Sequence, residues 1–383
     1  MKTIKQLIIA LIISSLIFAC FLPIYNKKVE DGFDVSSVKN NSIRYGIEFK
    51  KYMSYDAIAK SLTKDTILLM GSSELIVNND FEEHPKQLLD YKDKNIMQVG
   101  EGYFQSLFHA IALGSVGNDI KNKTVNLIVS MQWFEDGGIK PEAFLYRFSM
   151  DHINHFYKND KISKQLKDKV YDRILELSKG NEVITNHIER LKRNNTFDKV
   201  INEFYLKKYR NISMNFLKNT YTDKSVNEKT FKGIANWDEL EKKAIEKSKE
   251  ESTNNSFYLN NKWYTRVVGD NLKKFKNSAT KITYKNSTEY GDLQLFLDVA
   301  KELGIKVNLI LQPLQGYWAD YIGVSHDEIN DYYKRIKKIA KKNGANLIDY
   351  SKNSYEKYFF KDATHLGRLG LLRMQEDLLK YND

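Results

Sequence analysis

The stretch DTILLMGSSELIVNND, residues 65–80, gives the first indication of the fold of this 383-residue chain. Residues 66–70 are apolar over the length of a strand and end at Gly71, a pattern typical of a buried strand. Ser72 and Ser73 then lie at the carboxyl end of that strand. In open α/β sheets, ligands and catalytic groups collect at this edge because the connecting loops converge there. A serine-capped helix start is the alternative interpretation.

Alternation of strand and helix patterns predicts the α/β class. Helical patterns, each ending at a glycine, occupy residues 104–114, 293–304 and 327–344. This order predicts a central parallel sheet with helices on both faces, a three-layer α/β/α architecture. The composition changes at about 141–290, where Lys, Asn, Tyr and Glu dominate, and we expect a mainly helical insertion there between the third and fourth strands. The strand-length apolar runs are residues 66–70, 96–99, 125–131, 307–311 and 347–348.

The amino terminus predicts a membrane anchor. Residues 7–25 form a nearly unbroken apolar run with lysines on both sides, and these 19 residues just cross a hydrocarbon core of ~30 Å. We therefore expect an uncleaved N-terminal transmembrane helix within residues 1–28, then a polar stretch to about residue 51, with residues 29–383 as an extracellular catalytic domain. A cleaved signal peptide is the alternative, but it usually has a shorter apolar core. Cys20, the one cysteine, lies inside this segment, so the body has no disulfide or thiolate metal site.

The charge suggests an anionic partner. The chain carries 60 Lys and Arg against 49 Asp and Glu, a net charge of +11. Nucleic acid, a phosphate-rich polymer and an anionic membrane face would all attract such a protein. A nucleic-acid binder fits least well, because the anchor places the basic body outside the membrane.

A serine can act as a nucleophile only when a base takes its proton and a third group orients that base. His365 has Asp362 three residues before it, just ahead of a C-terminal helical pattern. In a helical turn, side chains at this spacing lie on one side, so Asp362 could accept the Nδ1 proton and leave Nε2 facing a serine. Helix capping by Asp362 is the alternative. His152 and His155 have a spacing that could ligate metal, but without companion ligands we interpret them as packing or surface residues.

Gly71-Ser72-Ser73 after the first strand and Asp362-x-x-His365 after the last resemble the SGNH (GDSL-type) hydrolase superfamily. Ser73 aligns with its nucleophile, and Ser72 replaces the usual aspartate. Three further stretches extend the resemblance: GEGYFQSLFHA (100–110), SMQWFEDGG (130–138) and LQPLQGYWADYIG (311–323). Together with the anchor, they make the sequence similar to the DltD family of teichoic acid D-alanyltransferases.

The resemblance implies a role for each matching residue. Ser73 would be the nucleophile, His365 the general base and acid, and Asp362 its orienting partner. SGNH enzymes form the oxyanion hole with a glycine after the second strand and an asparagine after the third. Here Gly100 or Gly102 would supply the first donor, and Gln132 replaces the asparagine. The substrate crevice would be lined by Trp133, Tyr317 and Trp318, for which core packing is the alternative. Gln315 would add a side-chain amide to the same substrate-binding site. For Glu74, we expect a first-turn helix residue favoured by the helix dipole.

The implied function is the transfer of D-alanyl esters onto lipoteichoic acid, through a D-alanyl-serine intermediate, at the outer face of a Gram-positive cell membrane. The implied partners are lipoteichoic acid, a D-alanyl carrier protein, a membrane O-acyltransferase and the anionic membrane. No metal, organic cofactor or nucleic acid is expected. Two alternatives stay open: an envelope esterase or O-acyltransferase that acts on another polymer, and a non-enzymatic scaffold for the D-alanylation machinery.

Overall fold

A computed structural model describes residues 2–31, 52–77, 81–85, 89–90, 94–221, 231–232 and 235–382. Most of the polar stretch expected after the anchor, to about residue 51, lies outside these residues. The strands are β1 (Thr66–Met70), β2 (Leu89–Asp90), β3 (Asn95–Val99), β4 (Thr124–Ser130), β5 (Phe231–Lys232), β6 (Lys306–Gln312) and β7 (Asn346–Asp349).

The central sheet has five parallel strands in the order β3-β1-β4-β6-β7, and β2 pairs separately with β5. Each predicted apolar run forms one of the five strands, and the ends differ by at most one residue. The α/β class and the parallel sheet are therefore confirmed. Since β1 lies between β3 and β4, the segments that follow these three strands meet at one edge of the sheet.

Helices account for most of the remaining chain. They are α1 (Lys2–Asp31), α2 (Tyr55–Ala59), α3 (Ser106–Val116), α4 (Pro141–Arg147), α5 (Met150–Lys158), α6 (Lys164–Leu177), α7 (Glu182–Arg193), α8 (Thr196–Tyr221), α9 (Trp237–Glu250), α10 (Asn261–Val267), α11 (Leu272–Phe275), α12 (Glu289–Glu302), α13 (Gly316–Ile322), α14 (His326–Asn343) and α15 (Arg368–Asn382).

Helices cover both faces of the sheet, as the three-layer prediction requires. Leu68 and Met70 of β1 join the apolar cluster that contains buried residues of α3, α12 and α14. Ile67 and Leu69 point the other way, into the cluster that contains α15. This division follows from the alternation of side chains along a strand. A strand buried on both faces has no polar side, which explains the continuous apolar runs in the sequence.

The insertion between β4 and β6 is mainly helical, as predicted, and contributes α4 to α11. Apolar side chains from its described part join both clusters that cover the sheet. Phe156 and Val170 are buried in the α3 cluster, whereas Phe257 and Leu259 are buried in the α15 cluster. The insertion therefore extends the core of the sheet on both faces.

The predicted end of the first helical pattern at Gly114 is wrong. Helix α3 continues to Val116, and Gly114 lies within it. A Cβ atom at this position would lie 2.2 Å from a ring carbon of Phe156 on α5. Gly114 therefore allows the close approach of α3 and α5 and does not end the helix. The other two patterns are followed by glycines with positive φ, Gly304 and Gly344, as the sequence predicts.

The N-terminal helix α1 carries an apolar stretch of 23 residues, Thr3–Tyr25, and the most apolar 18-residue window of it has no buried residue. At about 1.5 Å per residue this stretch exceeds the ~30 Å hydrocarbon core of a bilayer. A signal sequence would have the same character. The helix is compatible with the predicted single-pass membrane anchor.

Candidate active site

Ser73 lies where the first strand of the sequence ends. After β1, the amide of Gly71 donates to the carbonyl of Val99 at 3.1 Å, so the pairing of β1 with β3 continues one residue beyond the strand. The chain then turns into a single 3₁₀ turn, Ser73–Leu75, with Ser72 as the preceding residue. Ser72 is buried, and its hydroxyl donates to the carbonyl of Glu101 at 3.2 Å. The next residue, Ser73, is half-buried.

Ser73, His365 and Asp362 form a continuous chain of hydrogen bonds. The Oγ atom of Ser73 lies 2.9 Å from Nε2 of His365. On the other side of the ring, Nδ1 lies 2.9 Å from both carboxylate oxygens of Asp362. Oδ1 of Asp362 also accepts the backbone N–H groups of Thr364 and His365, at 3.0 and 2.8 Å. The loop that carries the histidine therefore wraps around the aspartate, and α15 begins only at Arg368.

The pKa shifts of Asp362 and His365 suit a role of His365 as a general base. Burial acts to raise the pKa of Asp362, but the hydrogen bond and charge of His365 and the two backbone amides outweigh it and hold the pKa below its usual value. Burial likewise acts to lower the pKa of His365, but the hydrogen bond and charge of Asp362, with a smaller contribution from Glu74, raise the pKa above 6.5. Asp362 therefore stays ionised, and its acceptor oxygens keep a proton on Nδ1. Neutral His365 can then accept a proton at Nε2.

The two glycines proposed as oxyanion donors occupy different positions. Gly100 has φ +137°, and a Cβ atom there would lie 1.8 Å from the carbonyl oxygen of Gly71. Only glycine allows this approach of the two strand ends. Gly102 faces the serine instead, because a Cβ built on it would lie 4.0 Å from Cβ of Ser73. Of the two, Gly102 is the one next to the serine side chain.

The loop that contains Gly102 is held by the helical insertion. Nε of Arg147, in the last turn of α4, donates to the carbonyl of Gly102. The guanidinium carbon of Arg147 also lies 4.8 Å from the ring centroid of Tyr103, a residue with a positive φ of 69°. Further along, Oε1 of the buried Glu289 accepts the N–H of Ser106 at 2.8 Å, where α3 begins. The insertion and α12 thus fix both ends of this loop.

Gln132 and Glu74 meet beside the serine. Gln132 lies in the 3₁₀ turn Met131–Phe134 that follows β4, and its Nε2 donates to Oε1 of Glu74 at 3.5 Å. Oε2 of Glu74 accepts the backbone N–H of Ser72 at 2.8 Å. Glu74 is thus a first-turn residue, as expected, but its side chain is only 4% exposed and turns back toward the serine pair.

Trp133 is buried against His109 of α3. The two rings stack with centroids 6.4 Å apart and an interplanar angle of 29°. Burial lowers the pKa of His109 to about 4, so the ring is neutral at physiological pH. Its Nε2 lies 3.0 Å from the carbonyl oxygen of Gly71, which can only accept, so Nε2 carries the proton. His109 therefore braces the backbone just before the serine pair.

The three residues predicted from the motif after β6 lie near the loop of His365, but their contacts differ. The side chain of Gln315 is occupied by backbone groups: it donates to the carbonyl of Phe257 and accepts the N–H of Trp318. Trp318 is 5% exposed and packs edge to face on Phe257, within the α15 cluster. Tyr317 is half-buried between Tyr258 and Tyr355. Gln315 is thus engaged in backbone hydrogen bonds and Trp318 in core packing, whereas Tyr317 keeps an accessible surface.

A cavity of about 550 Å³ borders the aspartate of this site. Two of its cationic side chains, Lys262 and Arg266 on α10, are exposed. Lys361 donates to the carbonyl of Val77, and Arg368 pairs with Glu83 and Glu251. The lining residues are Val77, Phe81, Glu250, Glu251, Asn260, Asn261, Lys262, Trp263, Arg266, Lys361, Asp362 and Arg368.

His152 and His155, weighed above as metal ligands, make ordinary packing contacts. His152 is buried, with Nδ1 2.7 Å from the Ser115 hydroxyl and Nε2 2.8 Å from the Tyr52 carbonyl. The ring of His155 stacks on Tyr55 at 3.7 Å. In the part of the chain that the structure describes, no group of three or more His, Cys, Asp or Glu side chains is arranged to hold a metal ion.

Three residues near the serine, Glu74, His109 and Arg147, were given no site role from the sequence. Glu74 directly follows the serine, and His109 lies inside one of the motifs quoted above, so a local signal existed for both. Arg147 had none, because it belongs to the insertion and reaches the loop after β3 only through tertiary packing.

Comparison with known proteins agrees with the resemblance seen in the motifs. The sequence profile of the family described as "DltD protein" matches residues 47–383. "Protein DltD" of Staphylococcus aureus (strain NCTC 8325 / PS 47) is 28% identical over 319 residues, 82% of this chain and 80% of that protein. "Protein DltD" of Bacillus subtilis (strain 168) is 28% identical over 316 residues, 79% and 78% of the two chains. "Protein DltD" of Lacticaseibacillus rhamnosus is 27% identical over 331 residues, 83% and 77% of the two chains. From this match over most of its length, the chain belongs to the DltD family.

Proposed function

We propose that this protein acts in the D-alanylation of lipoteichoic acid and transfers the D-alanyl group through an ester on Ser73. Membership of the DltD family supports the D-alanylation role. The observation that carries the mechanism is the 2.9 Å contact between Ser73 Oγ and His365 Nε2, continued by Asp362 on the far side of the ring. Nucleophile, base and orienting carboxylate in this order are the arrangement that acyl transfer by serine requires.

In the first half of the reaction, Ser73 Oγ attacks the carbonyl carbon of an activated D-alanyl group, and its proton moves to Nε2 of His365. The N–H of Gly102 and the amide of Gln132 stabilise the oxyanion. The intermediate collapses when the bond to the donor's leaving atom breaks, and His365 returns the proton to that atom. Ser73 now carries the D-alanyl ester.

In the second half, a hydroxyl group of the polyglycerol-phosphate chain attacks the same carbonyl carbon. His365 takes the hydroxyl proton and passes it to Ser73 Oγ as the bond to the serine breaks. Transfer prevails over hydrolysis when the acceptor is held in place and water is not. Tyr317, at the accessible side of the motif after β6, is a candidate for this positioning.

The cavity beside Asp362 is the proposed path of the acceptor polymer. Lys262 and Arg266 are exposed at its wall, where they would meet the phosphates that recur along the chain. The net charge of +11 favours the same polymer and the anionic membrane surface. We place the catalytic body on the outer face, tethered by α1, where a D-alanyl carrier protein and a membrane O-acyltransferase would supply the acyl group.

The test of the nucleophile uses cells whose only copy of the gene carries Ser73→Ala or Ser72→Ala, compared at matched protein levels. Base-labile D-alanine per teichoic acid phosphate is measured. We expect Ser73→Ala to abolish the ester. Ser72→Ala should largely keep it, because the Ser72 hydroxyl donates to the carbonyl of Glu101, whereas the Ser73 hydroxyl is the one 2.9 Å from His365 Nε2. Wild-type ester content in Ser73→Ala cells would refute the catalytic role and favour a scaffold.

The acceptor path has a separate test. Charge reversal in the double variant Lys262→Glu/Arg266→Glu should lower ester content several-fold and make the residual transfer more sensitive to salt. Lys273→Glu/Lys274→Glu is the matched control, since these lysines lie on α11 and outside the cavity lining. An equal loss of ester content in the two double variants would show that the cavity does not bind the acceptor and that only the overall charge matters.

A further inference from the structure

Glu74 is a buried carboxylate immediately next to the proposed nucleophile. Its side chain lies in the 3₁₀ turn that begins with Ser73 and is 4% exposed. Burying a carboxylate is costly unless its oxygens are well paired. Within the described ranges, no lysine or arginine forms an ion pair with it. Its two oxygens are therefore left to weaker partners, or to a ligand.

The two oxygens of Glu74 are held unequally. Oε2 accepts the N–H of Ser72 at 2.8 Å, a bond of normal length. Oε1 has the amide of Gln132 at 3.5 Å, which is at the outer limit for a hydrogen bond. One oxygen is thus fixed to the backbone of the serine pair, whereas the other retains acceptor capacity on the side of Gln132.

The position of this second oxygen relates it to the acyl group. In the mechanism above, the carbonyl oxygen of the substrate lies against the Gln132 amide. The carbon next to that carbonyl bears the ammonium group in a D-alanyl ester or thioester. A cation at this carbon would lie between the substrate carbonyl and Glu74 Oε1. An uncharged acyl group would instead place no cation between Glu74 Oε1 and the developing oxyanion.

We propose that Glu74 binds the α-ammonium group of the D-alanyl moiety and thereby selects an aminoacyl group over a simple acyl group. This role rests on the proposed function, since it assumes that a D-alanyl carbonyl reaches Ser73. Glu74 would supply selectivity for the acyl group. Ser73, activated by His365 and Asp362, would by itself attack any activated carbonyl. Glu74 is in this view the specificity residue of the acyl site.

Glu74→Gln is the informative variant, because the glutamine can still accept the N–H of Ser72 while the charge is removed. The full-length protein in membranes is given a D-alanyl thioester of a small thiol, or the propionyl thioester that lacks only the amino group. The quantity compared is the ratio of kcat/KM for the two substrates. We expect Glu74→Gln to lower this ratio about 10–100-fold, as for the loss of one charged hydrogen bond. Glu135→Gln, at an exposed carboxylate of the neighbouring turn, is the charge-matched control and should leave the ratio as in the wild type.

The outcomes separate the explanations. If Glu74→Gln lowers kcat/KM for both thioesters equally, Glu74 only positions the serine pair, and the proposal is wrong. The proposal is also wrong if Glu74→Gln keeps both the wild-type rates and the wild-type ratio of kcat/KM for the two thioesters. Two other results would contradict the proposed function itself. The wild-type protein would use the propionyl thioester and not the D-alanyl thioester, or Ser73→Ala would retain activity on both.

Discussion

Replacement of Asp362 by asparagine tests the proposed base, because it exchanges one carboxylate oxygen for an NH₂ group and keeps the shape. The remaining oxygen can still accept the backbone amides of Thr364 and His365, at 3.0 and 2.8 Å in the wild type. The retained oxygen also lies 2.9 Å from Nδ1 of His365, but those two amides already occupy it. The NH₂ group takes the place of Oδ2 and therefore faces Nδ1. Two donors cannot face each other, so the ring proton moves from Nδ1 to Nε2, where it points at Ser73 and blocks proton transfer.

The size of the effect follows from this change of tautomer. The Asp362 side chain is 5% exposed, so water has little access to replace the missing acceptor. We expect a loss of about 10⁴-fold in serine reactivity, as when the orienting aspartate of such a triad becomes asparagine. At about 1.36 kcal/mol per factor of ten, this is ~5 kcal/mol of transition-state stabilisation. The fold should be little affected, because the backbone hydrogen bonds of the loop are kept.

The assay is the rate at which a fluorophosphonate labels the full-length protein in membranes, since this reagent reports an activated serine without knowledge of the natural donor. Ser73→Ala should give no label. Wild-type labelling should decline as the pH falls through the raised pKa of His365, above 6.5, because the imidazolium cannot accept a proton. In Asp362→Asn, this decline should move to lower pH, since the carboxylate that raised the pKa is gone. Labelling of Asp362→Asn at the wild-type rate would refute the reasoning.

Two further predictions concern stability, with thermal unfolding of the full-length protein as the measurement. Gly100→Ala should lower the free energy of unfolding by about 3 kcal/mol or more, because the new Cβ would lie 1.8 Å from the Gly71 carbonyl oxygen. Gly291→Ala is the control: a Cβ there meets nothing within 4 Å, so this variant should stabilise helix α12 slightly. Equal melting temperatures for the two variants would contradict the packing at this strand end. Arg173→Met should cost about 3–5 kcal/mol, since it leaves the buried carboxylate of Asp292 without its paired guanidinium. Addition of Asp292→Asn should recover much of that loss, and no recovery would argue against the ion pair as the cause.

Local patterns in the sequence determined a large part of this structure. Each of the five strands is an apolar run, because a strand buried on both faces has no polar side. The two serines after β1 and the aspartate three residues before His365 were recognisable as candidates from their positions, and the family resemblance selected Ser73. The helical character of the insertion and the apolar N-terminal helix were likewise predicted from composition and length.

Only the tertiary structure decided which side chains meet at the serine. Glu74 reads in the sequence as an ordinary first-turn residue, and its burial depends on the turn after β4 packing over it. Arg147 reaches the loop of Gly102 from an inserted helix 45 residues away. Gly114 looks like a helix end, but the ring of Phe156 fills the space that a side chain would need. Contacts of this kind depend on how distant elements pack together, and local periodicity carries no information about that packing.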